Sequence, residues 1–232
     1  MKQSIVNIQS NQNDSFGTGF VIYRDKEKGN YILTCNHVLE KVEKPIIEGE
    51  IAKVVVKNEF IDLLVLYVKG LNLPALPLAL TPCEDEDVEI IGFSHFTQEN
   101  NQKLHIKARL YEKNIQIHSR SNNEYFNVKK IEAKEGFHFD QGNSGSPVLC
   151  KETGNVIAVI SKKDRNNIAY AIDIVHLKSL WQDAPQEIFT PNKKKKRSII
   201  YYIVLIPTLI ALLYFTMSFL LLGLVKLIQV IA

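Results

Sequence analysis

The stretch "DQGNSGSPVL", residues 140–149, decides how this chain is interpreted. Two glycines and two serines stand close together directly before a short apolar run. A loop of Gly, Asn and Ser before a strand is common, so these ten residues leave two interpretations of Ser144 open. Ser144 is either a nucleophile held on a glycine turn or a polar residue in a loop. The first interpretation requires a base, an acid and a suitable scaffold elsewhere in the chain.

Short β-branched and aromatic stretches recur over the first 172 residues in two groups. The first group is 4–8, 19–23, 31–34, 52–57 and 63–67, and the second is 88–93, 103–118, 125–132, 146–149, 156–161 and 168–172. Residues 70–87 separate the groups, because three prolines and an acidic end exclude a central strand or a long helix. Many short strands with turn signals between them predict an all-β sandwich or barrel. Only residues 173–182 have clear helical spacing.

Two residues of the first group have the chemistry that Ser144 needs. His37 ends the strand-like run of "YILTCNHVLE", and Asp62 opens the apolar run of "EFIDLLVLYV". Each alone has an ordinary structural interpretation, although an Asp beside a core strand is costly to bury without a partner. The chain order His, Asp, Ser differs from the Ser, Asp, His order of α/β-hydrolases and the Asp, His, Ser order of subtilisins. The glycine spacing around Ser144 also departs from the hydrolase nucleophile elbow, which disfavours an esterase.

These motifs together resemble the chymotrypsin-fold, trypsin-like serine peptidases over about residues 14–180. "LTCNHVLE" is similar to the family's catalytic-histidine motif, "DLLVL" to the "DLAVL" of the bacterial Deg-like branch, and "GNSGSPVL" to the nucleophile motif. "FGTGFVI", "EIIGFS" and "VIAVIS" also look like strands of that family. The resemblance implies an all-β fold of two six-stranded antiparallel barrels with the active site between them. Barrel one would cover about 1–69, the connection 70–87, barrel two about 88–172, and a short helix 173–182.

The resemblance and the general chemistry of the triad assign a role to each residue. Ser144 Oγ would attack the peptide carbonyl, and His37 would take its proton and return it to the leaving amine. Asp62 would hold the imidazole in the right tautomer. The backbone N–H groups of Gly142 and Ser144 would form the oxyanion hole, which explains the glycines of the opening stretch.

Two features of the chain qualify the resemblance, one with respect to the digestive enzymes and one with respect to the Deg-like branch. Asn143 stands before the serine where those enzymes have Asp, so the ion pair with a cleaved N-terminus that activates them is not available. No PDZ-like region follows the peptidase domain, which is expected to cover 1–185.

By the resemblance, the primary pocket for the substrate includes His138 and the strand around Ser161. His138 would favour an acidic side chain, or it is an exposed loop histidine.

The charge pattern predicts a membrane anchor at the end of the chain. All 25 acidic residues precede residue 193, whereas basic residues cluster at 193–197 in a linker expected over 186–198. Residues 199–225 then carry no charge, which is long enough for a membrane-spanning helix and leaves a tail of 226–232. Because the basic cluster precedes the span, the positive-inside rule places the peptidase domain in the cytoplasm of a single-pass, tail-anchored protein.

The three cysteines are an odd number, and free thiols are expected in a reducing compartment. Cys35 and His37 are close enough in sequence to suggest a metal site, but no paired C-x-x-C spacing supports one. We therefore expect no metal and no other cofactor. Basic charge is not spread over a folded face, so no nucleic-acid partner is expected.

The sequence thus predicts a membrane-tethered cytoplasmic serine endopeptidase that acts on proteins or peptides through an acyl-enzyme. Its second partner is the lipid bilayer, through 199–225. By analogy alone, a tethered protease without a PDZ module resembles effectors of bacterial conflict systems that a sensor or activator protein switches on. Two alternatives stay open: a pseudoprotease that binds a partner through the cleft between the barrels, and a membrane adaptor whose barrels are only a scaffold.

Overall fold

The computed structural model describes residues 1–25, 29–80, 83–95, 102–118, 125–189, 207–208, 210–218 and 220–221. The chain forms two compact units, Met1–Pro191 and Asn192–Ala232. The thirteen strands found among the described residues all lie in the first unit. They are β1 Ile5–Ser10, β2 Phe16–Arg24, β3 Gly29–Thr34, β4 Pro45–Ile47, β5 Glu50–Ile51, β6 Lys53–Asn58, β7 Leu63–Lys69, β8 Asp87–Gly92, β9 Leu104–His118, β10 Tyr125–Ala133, β11 Pro147–Cys150, β12 Val156–Arg165 and β13 Ile168–Asp173.

Strands β1 to β7 form one antiparallel sheet in the order β5-β4-β1-β2-β3-β7-β6. Its centre is buried on both faces, as in β7, where only Tyr67 and Lys69 are not fully buried. The two edge strands, β5 and β6, are separated by Ala52 alone, whose N–H donates to the carbonyl of Pro45 at 3.0 Å. The chain therefore bends at Ala52, so that β5 pairs with β4 and β6 pairs with β7.

Strands β8 to β13 form a closed six-stranded barrel in the order β10-β13-β12-β11-β8-β9. Every strand is antiparallel to both neighbours, as the register Ile90↔Ile106 and Val148↔Ile90 illustrates. This confirms the predicted second barrel. The predicted first barrel is corrected to an open seven-stranded sheet, because the bend at Ala52 splits one stretch of chain into two short strands.

The two β-structures share one large core cluster, and the barrel has a second cluster of its own. The larger cluster of buried apolar side chains continues from Phe20 and Leu66 in the first sheet to Phe93, Leu149 and Val159 in the second barrel. Burying this surface is the main favourable term of folding, at about 25 cal/mol per Å² of apolar area. The connection between the first sheet and the barrel covers the described residues 70–80 and 83–86. Its β-structure there is limited to an isolated bridge from Leu78 to Val156.

Helices are few in the described part of the chain. α1, Asn36–Val42, follows β3, and α2, His176–Leu180, follows β13. The helix predicted over 173–182 is shorter at its start because Asp173 is still paired in β13, opposite Ala158. Short 3-10 turns occur at Lys2–Ser4 and Gln186–Phe189, and the second turn buries Ile188 in the larger core cluster.

The expectation of free thiols is wrong for two of the three cysteines. Cys83 in the connection and Cys150 at the end of β11 form a disulfide, whereas Cys35 is free and buried. The Cα atoms of the bonded pair are 6.0 Å apart, within the usual range for a disulfide. The sequence could not predict this bond, since 67 positions separate the two residues and only the barrel brings them together.

The predicted membrane span over 199–225 lies mostly outside the described residues, as do the basic residues 193–197 and the tail 226–232. The described residues between 207 and 221 are helical. Among the residues that the structure describes, no helix has both the length and the apolar character needed to cross a membrane.

Candidate active site

The end of β3 and the start of β7 bring His37 and Asp62 together. These strands are neighbours, with Thr34 opposite Leu64, so the residues that follow β3 and precede β7 meet at one end of the sheet. His37 Nδ1 lies 2.8 Å from Asp62 Oδ2 and 3.0 Å from Oδ1. The backbone N–H of His37 also donates to Oδ1 at 3.0 Å. The carboxylate therefore holds both the ring and the main chain of His37.

Asp62 adopts an uncommon backbone conformation, with a φ of 59°. Its carbonyl accepts the N–H of Asn36 at 3.3 Å, which ties the turn to the start of α1. Ser161 Oγ donates a second side-chain hydrogen bond to Oδ2. Burial raises the pKa of the Asp62 carboxyl, but the hydrogen bonds from His37 and Ser161 and the charge of His37 outweigh burial and hold that pKa below its usual value. Asp62 is therefore an anion at neutral pH.

Ser144 lies on a tight turn directly before β11, between two glycines with positive φ. Gly142 has a φ of 95° and Gly145 a φ of 86°, a region that other residues rarely adopt. A Cβ at Gly142 would overlap the Phe16 ring, and one at Gly145 would overlap the carbonyl oxygen of Thr18. Both glycines are thus required by conformation and by space.

The turn leaves two backbone donors available. The N–H of Gly145 donates to Ile160 O at 2.7 Å, and that of Asn143 to Asp140 O at 3.2 Å. Within the described part of the chain, no hydrogen bond uses the N–H of Gly142 or of Ser144. These are the two groups that the sequence assigns to an oxyanion hole.

His37, Asp62, Gly142, Ser144 and Ser161 line one cleft of about 800 Å³. In this structure, Ser144 Oγ donates to the backbone carbonyl of Ser161 at 3.1 Å. Among the described residues no hydrogen bond joins Ser144 to His37. Charged residues of both signs line the same cleft, namely Lys41, Lys162, Lys163, Glu40, Glu59 and Asp140.

The structure places all but one of the predicted site residues in this cleft. It brings His37, Asp62, Ser144, Gly142 and Ser161 into the cleft, whereas His138 is exposed and does not line it. Ser161, expected in the substrate pocket, also contacts Asp62, which sequence reasoning did not find. A lone serine in a strand gives no spacing signal for such a contact.

Asn143 is a second residue whose contacts the sequence did not reveal. Its side chain is buried, accepts the N–H of Asp140 at 2.6 Å and donates to the carbonyl of Phe93 at 2.9 Å. Asn143 therefore uses both ends of a neutral amide to hold the turn before Ser144.

Cys35, His37 and Asp62 place one metal-ligand atom each within 4.8 Å of one another. The thiolate, not the thiol, binds metals. Burial raises the pKa of Cys35 well above its usual value, and the charge of Asp62 raises it further. The thiol donates to Ile160 O at 3.1 Å, and His37 Nδ1 is already bonded to Asp62. This arrangement suits hydrogen bonding better than metal binding, and the absence of a metal stays a prediction.

Comparison with known proteins agrees with this geometry. Residues 17–159 match the family of the trypsin-like peptidase domain. The chain is similar in structure to Rv3671c from M. tuberculosis H37Rv in an inactive form, with 23% identity, a TM-score of 0.62, and coverage of 79% of this chain and 89% of that chain. It is also similar to the serine endoprotease from Yersinia pestis, with 22% identity, a TM-score of 0.57, and coverage of 78% and 64%.

A third similar structure is the HtrA-type protease AlgW with a tripeptide, with 22% identity, a TM-score of 0.61, and coverage of 78% of this chain and 60% of that chain. No curated protein matches the chain. The family match spans more than half of the chain, and the fold is that of trypsin-like serine proteases and resembles the HtrA type. The chain belongs to the trypsin-like peptidase family.

Proposed function

We propose that the chain is a serine endopeptidase that hydrolyses peptide bonds through the triad His37, Asp62 and Ser144. The observation that supports this most is the meeting of three features in one cleft: the His37–Asp62 pair, Ser144 on its glycine turn, and the two available N–H groups. No single motif in the sequence requires all three. Their convergence is the arrangement that acyl transfer needs.

In this proposal, Asp62 fixes which nitrogen of His37 holds the proton. Nδ1 donates to the carboxylate, so Nε2 is left to accept the proton of Ser144. The hydroxyl must first leave the carbonyl of Ser161, to which it now donates. Ser144 Oγ then forms a bond to the substrate carbonyl carbon, and the scissile C–N bond breaks as His37 passes the proton to the leaving amine, which leaves an acyl-enzyme.

The negative charge that develops on the substrate oxygen is stabilised by the N–H groups of Gly142 and Ser144. Such donors are effective because they are already aimed before the reaction, and losing one costs about 10²–10³ in kcat. A water molecule, activated by the same His37, then releases the acid and restores Ser144. Proteins or peptides are the substrates.

The decisive test is labelling of the full chain with a fluorophosphonate probe. We expect wild type to be labelled and Ser144→Ala not to be. Ser146→Ala is the matched control, because it deletes a buried serine hydroxyl two residues away and should still be labelled. Lack of labelling in the wild type, or equal labelling of Ser144→Ala, would refute the peptidase assignment.

A second candidate is a pseudoprotease that binds a partner through the same cleft. The hydrogen bond of Ser144 Oγ to Ser161 O, rather than to His37, is the observation that favours it. If the chain is an enzyme, this bond marks the position of the Ser144 hydroxyl before substrate binds, since catalytic hydrogen bonds are often long or poorly aligned without substrate. Probe labelling separates the two functions directly.

We also propose that the protein is tethered to a membrane, with the peptidase domain facing the cytoplasm. The support is the uncharged run of 27 residues over 199–225 and the basic cluster directly before it. After alkaline carbonate extraction the full chain should stay with the membrane, and a chain ending at Asn192 should not. In sealed vesicles, added protease should digest residues 1–192 only from the cytoplasmic side, and digestion from the other side would overturn the orientation.

A further inference from the structure

Thr18 lies at the contact between the first sheet and the Ser144 turn. It belongs to β2, in the stretch "FGTGF", and is completely buried. A buried hydroxyl that is not hydrogen-bonded is costly, so its partners show what the residue does. Both of its main-chain groups and its hydroxyl form hydrogen bonds, and three of these bonds leave the first sheet.

Two of these bonds hold the carbonyl groups on either side of the Ser144 N–H, and the first of these carbonyls belongs to Gly142, which carries the other proposed donor. Thr18 Oγ1 donates to the carbonyl of Gly142 at 2.8 Å, and the Thr18 N–H donates to the carbonyl of Ser144 at 2.9 Å. The peptide that carries the Ser144 N–H therefore lies between two anchored carbonyls. Since a peptide unit is planar, fixing its neighbours limits the direction in which that N–H points.

The direction of the Thr18 hydroxyl is itself determined. Oγ1 accepts the N–H of Phe93 at 2.9 Å, and an N–H can only donate. The single proton of the hydroxyl is therefore available for Gly142 O alone. Phe93 is held from its other side as well, because its carbonyl accepts from Asn143. The hydroxyl thus joins β2, the end of β8 and the Ser144 turn in one network.

We infer that Thr18 is a positioning residue for the oxyanion hole, acting through Gly142 and Ser144 without touching the substrate. This inference rests on the proposed peptidase function. Its contribution should appear in the transition state, where the N–H groups meet developing charge, and only weakly in substrate binding. A general loss of stability would not lower kcat selectively while leaving KM nearly unchanged.

The test compares Thr18→Val with Thr18→Ser in the full chain, using hydrolysis of a peptide substrate. Valine has nearly the same shape but no hydroxyl, so kcat should fall about ten- to a hundredfold while KM changes little. Serine keeps the hydroxyl and should retain kcat within about threefold of wild type. Affinity for a peptide aldehyde, which places an oxyanion in the hole, should fall in parallel with kcat/KM.

Thr34→Val is the matched control. Thr34 is equally buried, and its hydroxyl donates to Thr18 O at 2.7 Å but forms no hydrogen bond with the Ser144 turn. It should lower the melting temperature without the selective loss of kcat. Equal loss of kcat in Thr34→Val and Thr18→Val, or unchanged kcat in Thr18→Val, would overturn the inference.

A measurement that does not depend on activity keeps this inference separate from the proposed function. In the Ser144→Ala background, hydrogen exchange of the Phe93 amide should be faster with Thr18→Val and unchanged with Thr18→Ser, because only valine removes its acceptor. If wild type fails to hydrolyse peptides, the proposed function is wrong. If it hydrolyses them and the Thr18→Val changes are absent, only the inference is wrong.

Discussion

The two β-structures of Met1–Pro191 hold their parts of the site in different ways. The open sheet fixes His37 and Asp62 internally, through the pairing of β3 with β7 and the hydrogen bonds between the two residues. The closed barrel supplies Ser144, but the turn that carries it is anchored to the other structure through Thr18. The His37–Asp62 pair is therefore set mainly by the first sheet, with one added hydrogen bond from Ser161 of the barrel, whereas the Ser144 turn depends on the contact between the two structures.

The largest expected effect comes from testing whether these two parts act as one unit. Ser144→Ala removes only the attacking oxygen, and His37→Ala removes only the base, so each should lower kcat by about 10⁴-fold or more. The double variant should be no worse than either single variant, as measured by peptide hydrolysis. Additive losses would show that the two parts contribute independently, and would contradict the triad.

Asp62→Asn should also lower turnover sharply, by about 10³- to 10⁴-fold, without unfolding the protein. The asparagine amide can donate an N–H to Nδ1 of His37, which would leave the ring proton on Nε2. Nε2 could then no longer accept the proton of Ser144. Asp14→Asn is the matched control, because Asp14 is exposed and distant in sequence from Asp62. This variant should behave as wild type. Circular dichroism and peptide hydrolysis measure fold and turnover, and full turnover in Asp62→Asn would point to another acid.

Much of the closed barrel and the meeting of His37, Asp62 and Ser144 in one cleft could be predicted from local signals. Alternating strands, the glycines around Ser144 and the charged Asp62 before an apolar run are all visible in sequence. The open first sheet could not be predicted, since it depends on a bend at Ala52 that a contact with Pro45 fixes. The hydroxyl groups of Thr18 and Ser161 gave no signal either, because their partners are distant in sequence and nothing in their spacing marks them.

The disulfide provides the next test of the closed barrel. Cys83→Ser with Cys150→Ser should lower the free energy of unfolding of residues 1–191 by about 2–4 kcal/mol, because the bond restricts the unfolded chain. Urea denaturation of wild type with and without a reductant measures the same quantity. A loss confined to the first sheet, seen by hydrogen exchange, would contradict a stabilising role in the barrel.

The same bond bears on the orientation of the protein. Disulfides persist on the oxidising side of a membrane, whereas the basic cluster at 193–197 predicts a cytoplasmic domain. A domain facing the cytoplasm should yield Cys83 and Cys150 as thiols when cells are lysed in an alkylating reagent. Recovery of the oxidised pair from cells would overturn the proposed orientation.

The smallest expected effect concerns His176, where α2 meets β10. Its Nε2 accepts the N–H of Asn127 at 2.9 Å, so the folded protein requires the neutral ring. Burial lowers the pKa of His176, the charge of Asp173 opposes this in part, and nearby Lys129 adds a smaller lowering. The unfolded chain therefore binds a proton at a higher pH than the folded chain does. The contribution of His176 to stability is present above the unfolded pKa, about 6.5, and is lost as pH falls through that value toward the lowered one.

His176→Gln separates this effect from other titrations, because the glutamine amide oxygen can still accept an N–H but carries no titrating group. Between pH 7 and pH 5, the free energy of unfolding of residues 1–191 should fall more steeply for wild type than for the variant. Hydrogen exchange of the Asn127 amide, corrected for its intrinsic pH dependence, should show the same difference between the two proteins. Parallel stability curves would mean that the contact between α2 and β10 does not depend on the charge of His176.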